Sequence, residues 1–395
     1  MSVLRHSIFL AVRHLRHHRG RTALLLLALS LVGFLPLAVD GVVDAGERSL
    51  RSRAEATPLV AGAPGAPIDL VLSALYFRTP PERIVRYGEI DALVEGDLAT
   101  ALPIVLGDRV KGGPLVGVDP GYVRFRGLRC ADGRPFAVAG ECIVGATVAT
   151  RAGIAVDDRI TTEPREMFDL AGAYPLRMRV VGVLAPTGDA DDEVVFTSLE
   201  TAWIVQGLAH GHDELEDADD PELVMGRQDG VVVGSAKVRE FVEITDENRD
   251  SFHFHGPPEE RPVTAAILLP RDRKAGTILL GRADVGRLPM QVVRATEVIE
   301  RLLVEVFRVR RILLAVLAAV AVATALLVAV VIALSIRIRA TEIDTMHLIG
   351  AGRGRVAVVL GTEVVILVGL AISIAAAGGV LVTMSIPAVE RLLLG

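Results

Sequence analysis

The chain has 395 residues, of which 51% are hydrophobic, and a net charge of -6 at pH 7. The length exceeds that of one ordinary globular core, and a few long apolar runs raise the hydrophobic fraction, which indicates an integral membrane protein. The acidic balance excludes a nucleic-acid-binding protein, because no basic stripe lies outside the flanks of those runs.

Residues 1–21 form a basic segment in which apolar residues alternate with arginine and histidine. This pattern predicts an amphipathic helix in the headgroup layer, in contact with membrane lipid. Short arginine-rich flanks stay on the cytoplasmic side, so the N-terminus is predicted to be cytoplasmic. The segment has five arginines and no acid: Arg5, Arg13, Arg16, Arg19 and Arg21.

Three uncharged runs are each near or above the length of about 20 residues that crosses a bilayer as a helix. They are Thr22–Val39, Ile312–Ile336 and Val364–Val389. A buried core helix is the alternative for each run, and a secretory signal is an alternative for the first. The first run is long for a signal and lacks a clear cleavage site, which favours an anchor. The predicted transmembrane helices are 22–43, 311–337 and 356–389.

The large segment between the first two spans, 44–310, is predicted to be extracytoplasmic. Helical patterns at both of its ends predict stalk helices that continue the spans. Between them, short apolar runs broken by glycine and proline indicate sheets, and an acidic segment, 210–222, indicates a loop between subdomains. The predicted fold class is an α-helical transmembrane protein of three spans with a large mixed α+β extracytoplasmic domain carried on helical stalks.

Both cysteines of the chain, Cys130 and Cys142, fall in this domain. An oxidising compartment permits a disulfide between them, and two buried free thiols are the alternative.

Two His-x-His pairs also fall in this domain: His210/His212 and His253/His255. On a strand, residues two apart share a face, and imidazoles near carboxylates suit zinc, so we predict a zinc site. The alternative is polar histidines in loops.

The short segment between the last two spans, 338–355, carries arginines and is predicted to be cytoplasmic. Within it, Thr341–Gly350 has the pattern of a short amphipathic helix that ends at a glycine. Its apolar edge suits either a partner protein or a simple connection between spans. That edge is formed by Ile343, Met346, Leu348 and Ile349.

The third span carries small residues at four-residue spacing, which lets another helix approach closely; the alternative is the plain composition of an alanine-rich span. Residues 390–395 are expected to be external. The two small-residue stripes are Gly369, Ser373 and Ala377, and Ala371, Ala375 and Gly379.

Catalytic motifs are absent from the sequence. No lysine follows a glycine, which excludes a nucleotide-binding phosphate loop, and neither a Gly-x-Ser-x-Gly elbow nor a His-Glu-x-x-His zinc helix occurs. We therefore expect a non-catalytic membrane subunit with no cofactor of its own, apart from the zinc. Ion coupling would place acids at mid-membrane, and only Glu363, at the start of the third span, comes close to that.

The chain resembles the FtsX/MacB-type (type VII) permeases of ABC transporters over most of its length. The motifs are Leu10–Thr22; Glu141–Ala146, Val148–Ala149, Gly153 and Val156–Ile160; Val180–Leu184; Asp192–Ala202; and Glu342–Ile343, Gly350–Ala351, Arg353 and Glu363. The first lies before the opening span, the next three in the periplasmic core domain, and the last in the loop after the second span. The family usually has a fourth span, from which this chain departs.

This resemblance implies a homodimer in the bacterial cytoplasmic (inner) membrane that binds separate cytoplasmic ATPases, in which ATP and Mg are held. Closing of the two ATPases on each other would move the extracytoplasmic domain, a mechanism called mechanotransmission. The cargo would be lipid, peptide or lipoprotein, or metal-related. The ATPase-coupling residues implied are Thr341, Glu342, Ile343, Met346, Leu348, Ile349 and Gly350.

Two other functions stay open at this point. One is an FtsX-like transmembrane scaffold that activates an external partner, such as a cell-wall hydrolase. The other is a membrane-anchored metal sensor without an ATPase.

Overall fold

The computed structural model describes residues 2–78, 82–163, 175–211, 224–228, 231–234, 242–254, 256–284, 289–338, 340–341, 345, 348 and 353–393. The chain divides into two compact units. Met1–Arg48 and Leu303–Leu393 form one, which we call the helical unit, and Ser49–Leu302 form the other, the core domain.

The described helices of four or more residues, single 3-10 turns aside, are α1 Ser2–His17, α2 Arg19–Glu55, α3 Pro67–Tyr76, α4 Tyr87–Val94, α5 Pro120–Phe125, α6 Ala146–Ala152, α7 Leu199–Val205, α8 Arg273–Asp284, α9 Ala295–Ile338 and α10 Arg353–Leu393.

The described strands are β1 Leu59–Gly62, β2 Val85–Arg86, β3 Ala99–Val110, β4 Gly113–Val118, β5 Cys130–Gly133, β6 Glu141–Val144, β7 Arg159–Thr161, β8 Leu176–Leu184, β9 Val195–Ser198, β10 Ala209–Gly211, β11 Val224–Gln228, β12 Val231–Gly234, β13 Val242–Glu243, β14 Phe252–Phe254, β15 Pro262–Val263, β16 Ala265–Pro270 and β17 Gln291–Val293.

Three of the described helices are long and apolar enough to cross a membrane: α2, α9 and the Ala357–Ser385 part of α10. This confirms the three predicted spans. Both α2 and α9 extend well beyond their apolar runs, α2 as far as Glu55 and α9 from as early as Ala295. They therefore contain the predicted stalks.

Inside the helical unit, small residues allow α2 and α10 to approach closely. A Cβ atom added to Gly33 of α2 would lie 3.2 Å from the Cβ of Ala375, and one added to Gly379 would lie 3.2 Å from the Cβ of Leu37. Side chains larger than alanine at such positions would hold the helices apart. The neighbouring α1 packs on α10 and buries Ala11 completely.

The core domain is built on a mixed sheet. Its described strands run in the order β13-β8-β6-β9-β4-β3-β16-β1-β17, and β5 and β7 also pair with β8. The pairs β4–β9, β6–β8 and β8–β13 are parallel, and the others are antiparallel. The strands in the middle of this order are mostly apolar and largely buried, as expected where both sheet faces are covered. In β6, for example, all four residues are buried.

The strand order separates the two cysteines. Val183 of β8 pairs with Asp132 of β5 and also with Val144 of β6, so β8 lies between the two strands that carry Cys130 and Cys142. Two strand spacings amount to about 10 Å, whereas a disulfide requires Cα atoms within about 7 Å. Both cysteines are free, and the disulfide prediction is corrected to its alternative, free thiols.

Candidate functional site

A buried arginine occupies the outer end of α2, within the core domain. The side chain of Arg53 is completely buried and makes a two-pronged ion pair with Asp191. Its Nη1 donates to Oδ2 of Asp191 at 2.8 Å, and its Nη2 donates to Oδ1 at 2.9 Å. Nη2 also donates to the hydroxyl of Tyr122 at 3.0 Å, and Nη1 lies 2.8 Å from Oδ2 of Asp189. We call these four residues the Arg53 cluster.

The remaining surface of the guanidinium is covered by backbone and aromatic rings. Nε of Arg53 donates to the carbonyl oxygen of Leu75, just before the end of α3. The guanidinium carbon lies 5.5 Å from the ring centre of Phe77 and 5.9 Å from that of Tyr76. Every nitrogen of the guanidinium therefore has a partner, which is the condition under which a buried charge is tolerated.

Asp191 is presented by a single 3-10 turn, Ala190–Glu193, whose position is fixed from two sides. The carboxylate of Asp192 accepts hydrogen bonds from the backbone N–H groups of Thr187 at 2.9 Å and Gly188 at 2.7 Å. On the other side, a Cβ added to Gly145 would lie 2.6 Å from the carbonyl oxygen of Asp191. Only glycine fits at that position without moving the turn.

Tyr122 belongs to α5, which begins after Asp119, whose carboxylate accepts from the backbone N–H of Gly121 at 2.6 Å. Its side chain is buried, and burial raises the pKa of its hydroxyl. The hydroxyl is therefore neutral at physiological pH. It can accept from Arg53 and donate to Oδ1 of Asp191, 2.9 Å away, at the same time.

A pocket of about 270 Å³ lies beside the cluster, lined by the outer end of α2, by α5 and by residues 187–191. We call these residues, which lead into the 3-10 turn, the 187–191 turn. The side chain of Asp189 is 34% exposed, whereas that of Asp191 is 3% exposed. Nη2 of Arg126, which also lines the pocket, donates to the hydroxyl of Thr57 at 2.9 Å. The cluster is closed to solvent at Asp191 and open to it at Asp189.

This arrangement ties three parts of the core domain, α3, α5 and the 187–191 turn, to α2. Charge-assisted, two-pronged hydrogen bonds are stronger and more directional than neutral ones. A movement of the outer end of α2 would therefore be passed to all three. The hydrogen bonds of the cluster are those of a structural connection.

The ATPase-coupling residues fall mostly outside the described residues: Glu342, Ile343, Met346, Ile349 and Gly350 lie there. Thr341 and Leu348 are described, and both are helical and exposed. Leu348 is 87% exposed, which leaves a large apolar side chain open to a partner. The coupling assignment stays a prediction.

The two small-residue stripes of α10 differ in burial. Ala371 and Ala375 are buried within the helical unit. Gly369, Ser373 and Ala377 are exposed, and a Cβ added to Gly369 would meet nothing within 4 Å. Among the described residues, no other helix covers the stripe of Gly369, Ser373 and Ala377, and its role in helix packing stays a prediction.

The first histidines of the two His-x-His pairs are brought together by strand pairing. His210 in β10 lies directly opposite His253 in β14. The second histidines, His212 and His255, lie outside the described residues. Within the described parts of the chain, no three His, Cys, Asp or Glu residues are grouped to hold a metal ion. The zinc site stays a prediction.

Sequence reasoning missed the Arg53 cluster. Arg53 follows Arg48 and Arg51 in a polar stretch, where it has the pattern of one more solvated stalk residue. Tyr122 and Asp191 are 69 and 138 residues further along the chain. Nothing in the sequence links positions so far apart.

The profile of a family described as MacB-like periplasmic core domain matches residues 22–236. The comparison with curated proteins gives no match.

Two solved structures are similar to the chain. The periplasmic region of MacB from Actinobacillus actinomycetemcomitans is 9% identical, covering 64% of this chain and 97% of that one, with a TM-score of 0.36. The extracellular domain of the noncanonic ABC-type transporter YknZ from Gram-positive bacteria is 11% identical, covering 60% of this chain and 99% of that one, with a TM-score of 0.33.

Proposed function

The chain belongs to the MacB-like periplasmic core domain family, and from that premise we propose that it couples ATP hydrolysis by a separate cytoplasmic ATPase to movement of its extracytoplasmic domain. Relatives of this kind are permeases of ABC transporters, membrane proteins with an extracytoplasmic domain. In the proposal, two copies form a dimer, each copy binds an ATPase through Thr341–Gly350, and the cargo is lipid, peptide, lipoprotein or metal-related.

The observation that carries the proposal is the continuity of α2. One helix contains both an apolar membrane span and, at its outer end, the Arg53 cluster. The backbone hydrogen bonds of an α-helix resist stretching, so a displacement at the inner end reaches the outer end. The buried ion pair then transfers it to the core domain.

The proposal is tested by copurification of the full-length chain from its native membranes. Deleting Thr341–Gly350, or replacing Glu342→Lys, is expected to abolish recovery of an ABC ATPase while the chain still inserts in the membrane. The matched control is Glu305→Lys, the same charge reversal at an exposed position of α9. If the deletion variant recovers as much ATPase as the wild-type chain, the coupling assignment is wrong.

The same preparation separates the FtsX-like scaffold from the transporter. A scaffold requires, in addition to the ATPase, an external hydrolase whose activity follows ATP hydrolysis. Recovery of a cell-wall hydrolase that is inactive without ATP would favour the scaffold. Recovery of the ATPase with bound cargo and no hydrolase would favour the transporter.

A further inference from the structure

A buried acid lies in an apolar helix of the helical unit. Glu363 is on α10, within the part long and apolar enough to cross a membrane, and is 8% exposed. An isolated carboxylate in such a place is costly, so it is expected to have a partner and a function. Nη2 of Arg21, on α2, donates to Oε1 of Glu363 at 2.9 Å.

Arg21 connects more than two helices. Its Nη1 donates to the hydroxyl of Ser335 on α9. Its Nη2 also lies 3.3 Å from Nε2 of His14 on α1, which is 3.7 Å from Oε1 of Glu363. The helices α1, α2, α9 and α10 therefore meet at one guanidinium. We call Arg21, Ser335, Glu363 and His14 the Arg21 cluster.

This cluster is attached to both flanks of the predicted coupling segment. Ser335 lies in the last turn of α9, which ends at Ile338. Glu363 lies in the first third of α10, which begins at Arg353. The chain between these two helices contains Thr341–Gly350. Arg21 thus holds the helix that enters the segment and the helix that leaves it.

Arg21 is also near the inner end of the helix whose outer end carries Arg53. The two arginines lie on the same helix, α2, and each bonds a buried carboxylate of a distant part of the chain. A second pair in the helical unit, Arg310 with Asp40 at 2.8 Å and Asp44 at 3.0 Å, joins α9 to α2 alone. Only the Arg21 cluster, among the described ion pairs, joins α2 to both flanks.

We propose that Arg21 is the positioning residue that transfers a displacement of the coupling segment to α2, acting through Glu363 and Ser335. This inference rests on the proposed function. In surroundings of low polarity, a charge-assisted bond is strong and each partner costs much to leave unpaired. Movement of α9 and α10 would then carry Arg21, and α2, with it. Without the arginine, α2 keeps its packing on α10 and its Arg310 bridge to α9, but it loses the polar link to both flanks of the segment, so less of the displacement would reach it.

The test uses the full chain with its copurified ATPase in nanodiscs, and a spin label at Glu200→Cys, an exposed position at the start of α7. The native thiols are removed as Cys130→Ser and Cys142→Ala. The distance between the two labels of the dimer is measured with and without ATP. In Arg21→Gln and in Glu363→Gln, we expect the ATPase to copurify but most of the ATP-dependent distance change to be lost.

Three variants distinguish transfer of movement from simple stability. The charge swap Arg21→Glu with Glu363→Arg is expected to restore part of the distance change. Ser335→Ala keeps the ion pair and removes only the bond to α9, so a partial reduction is expected even if Arg21→Gln fails to fold. Arg308→Gln removes an exposed ion pair within α9 and is expected to change nothing.

The failures of the two proposals differ. If the wild-type chain shows no ATP-dependent distance change, the proposed function is wrong. Suppose that ATP changes the label-to-label distance in the wild-type chain, and changes it equally in Ser335→Ala, in Glu363→Gln and in any Arg21→Gln protein that folds. The role of Arg21 is then overturned, and the proposed function stands.

Discussion

Replacing Arg53→Met removes the cation from a site in which two carboxylates and a tyrosine hydroxyl surround it. Methionine fills much of the same volume, but Asp191 is left buried without its counter-charge. Removing one partner of a buried ion pair costs about 3–5 kcal/mol. With a urea slope of about 3 kcal/mol per M, the unfolding midpoint of the core domain is expected to fall by about 1–2 M.

The assay is the fluorescence of Trp203, the single tryptophan of the chain. Trp203 is 5% exposed in a hydrophobic cluster of the core domain, and its Nε1 donates to the carbonyl oxygen of Pro262 at 2.7 Å. Its emission therefore reports unfolding of that domain. The titration is done on the full-length chain in detergent.

Three further variants make the titration specific. Arg179→Gln removes an exposed pair with Asp157, whose contribution is expected to be small because solvent screens it. Asp191→Asn is expected to lower the midpoint more than Asp189→Asn, because the side chain of Asp189 is partly exposed. If Arg53→Met shifts the midpoint no more than Arg179→Gln, the Arg53 cluster does not hold α2 to the core domain.

Four other outcomes are expected. Gly145→Ala should destabilise the core domain by about 1–3 kcal/mol in the urea titration, because the added Cβ meets the turn that carries Asp191. The control is Gly65→Ala, whose added Cβ meets no atom within 4 Å and which should leave the midpoint nearly unchanged. Burial raises the pKa of Glu141, but hydrogen bonds from an arginine and two backbone N–H groups lower it more, so its folded pKa lies below its ordinary value of 4.5. Its stabilisation is therefore present above about pH 4.5 and lost as the pH falls below that, and the urea midpoint of Glu141→Gln should change less with acid than that of the parent. Gly369→Leu should weaken the dimer in mass photometry and leave the urea midpoint unchanged; an unaltered dimer would remove the exposed stripe from the interface. Zinc affinity in calorimetry should be lost when the four histidines of the His-x-His pairs are replaced, and unchanged affinity would refute the site.

The membrane spans could be predicted because their signal is local. An uncharged run of about 20 residues identifies a span without knowledge of any partner. The extension of α2 to Glu55 was also local, since no proline interrupts the stretch between the apolar run and Pro58. Contacts across the fold left no such signal. The sequence shows Glu363 as a lone acid in an apolar helix, but its partner Arg21 has the pattern of one more cytoplasmic arginine.

The cysteines illustrate the same limit in the core domain. Cys130 and Cys142 are close in sequence, and spacing alone leaves a disulfide open. The insertion of β8 between their strands decides the question, and β8 begins only at Leu176. The Arg53 cluster likewise depends on the sheet topology, which places the 187–191 turn and α5 at the end of α2.

The most direct test of the account is whether ATP moves the extracytoplasmic domain. With the wild-type sequence at every position except the Glu200 label and the two removed thiols, the label-to-label distance is measured before ATP, with ATP, and after ATP is exhausted. If the proposed coupling is right, the distance shifts with ATP and returns when ATP is consumed. An unchanged distance while the copurified ATPase hydrolyses ATP would contradict it.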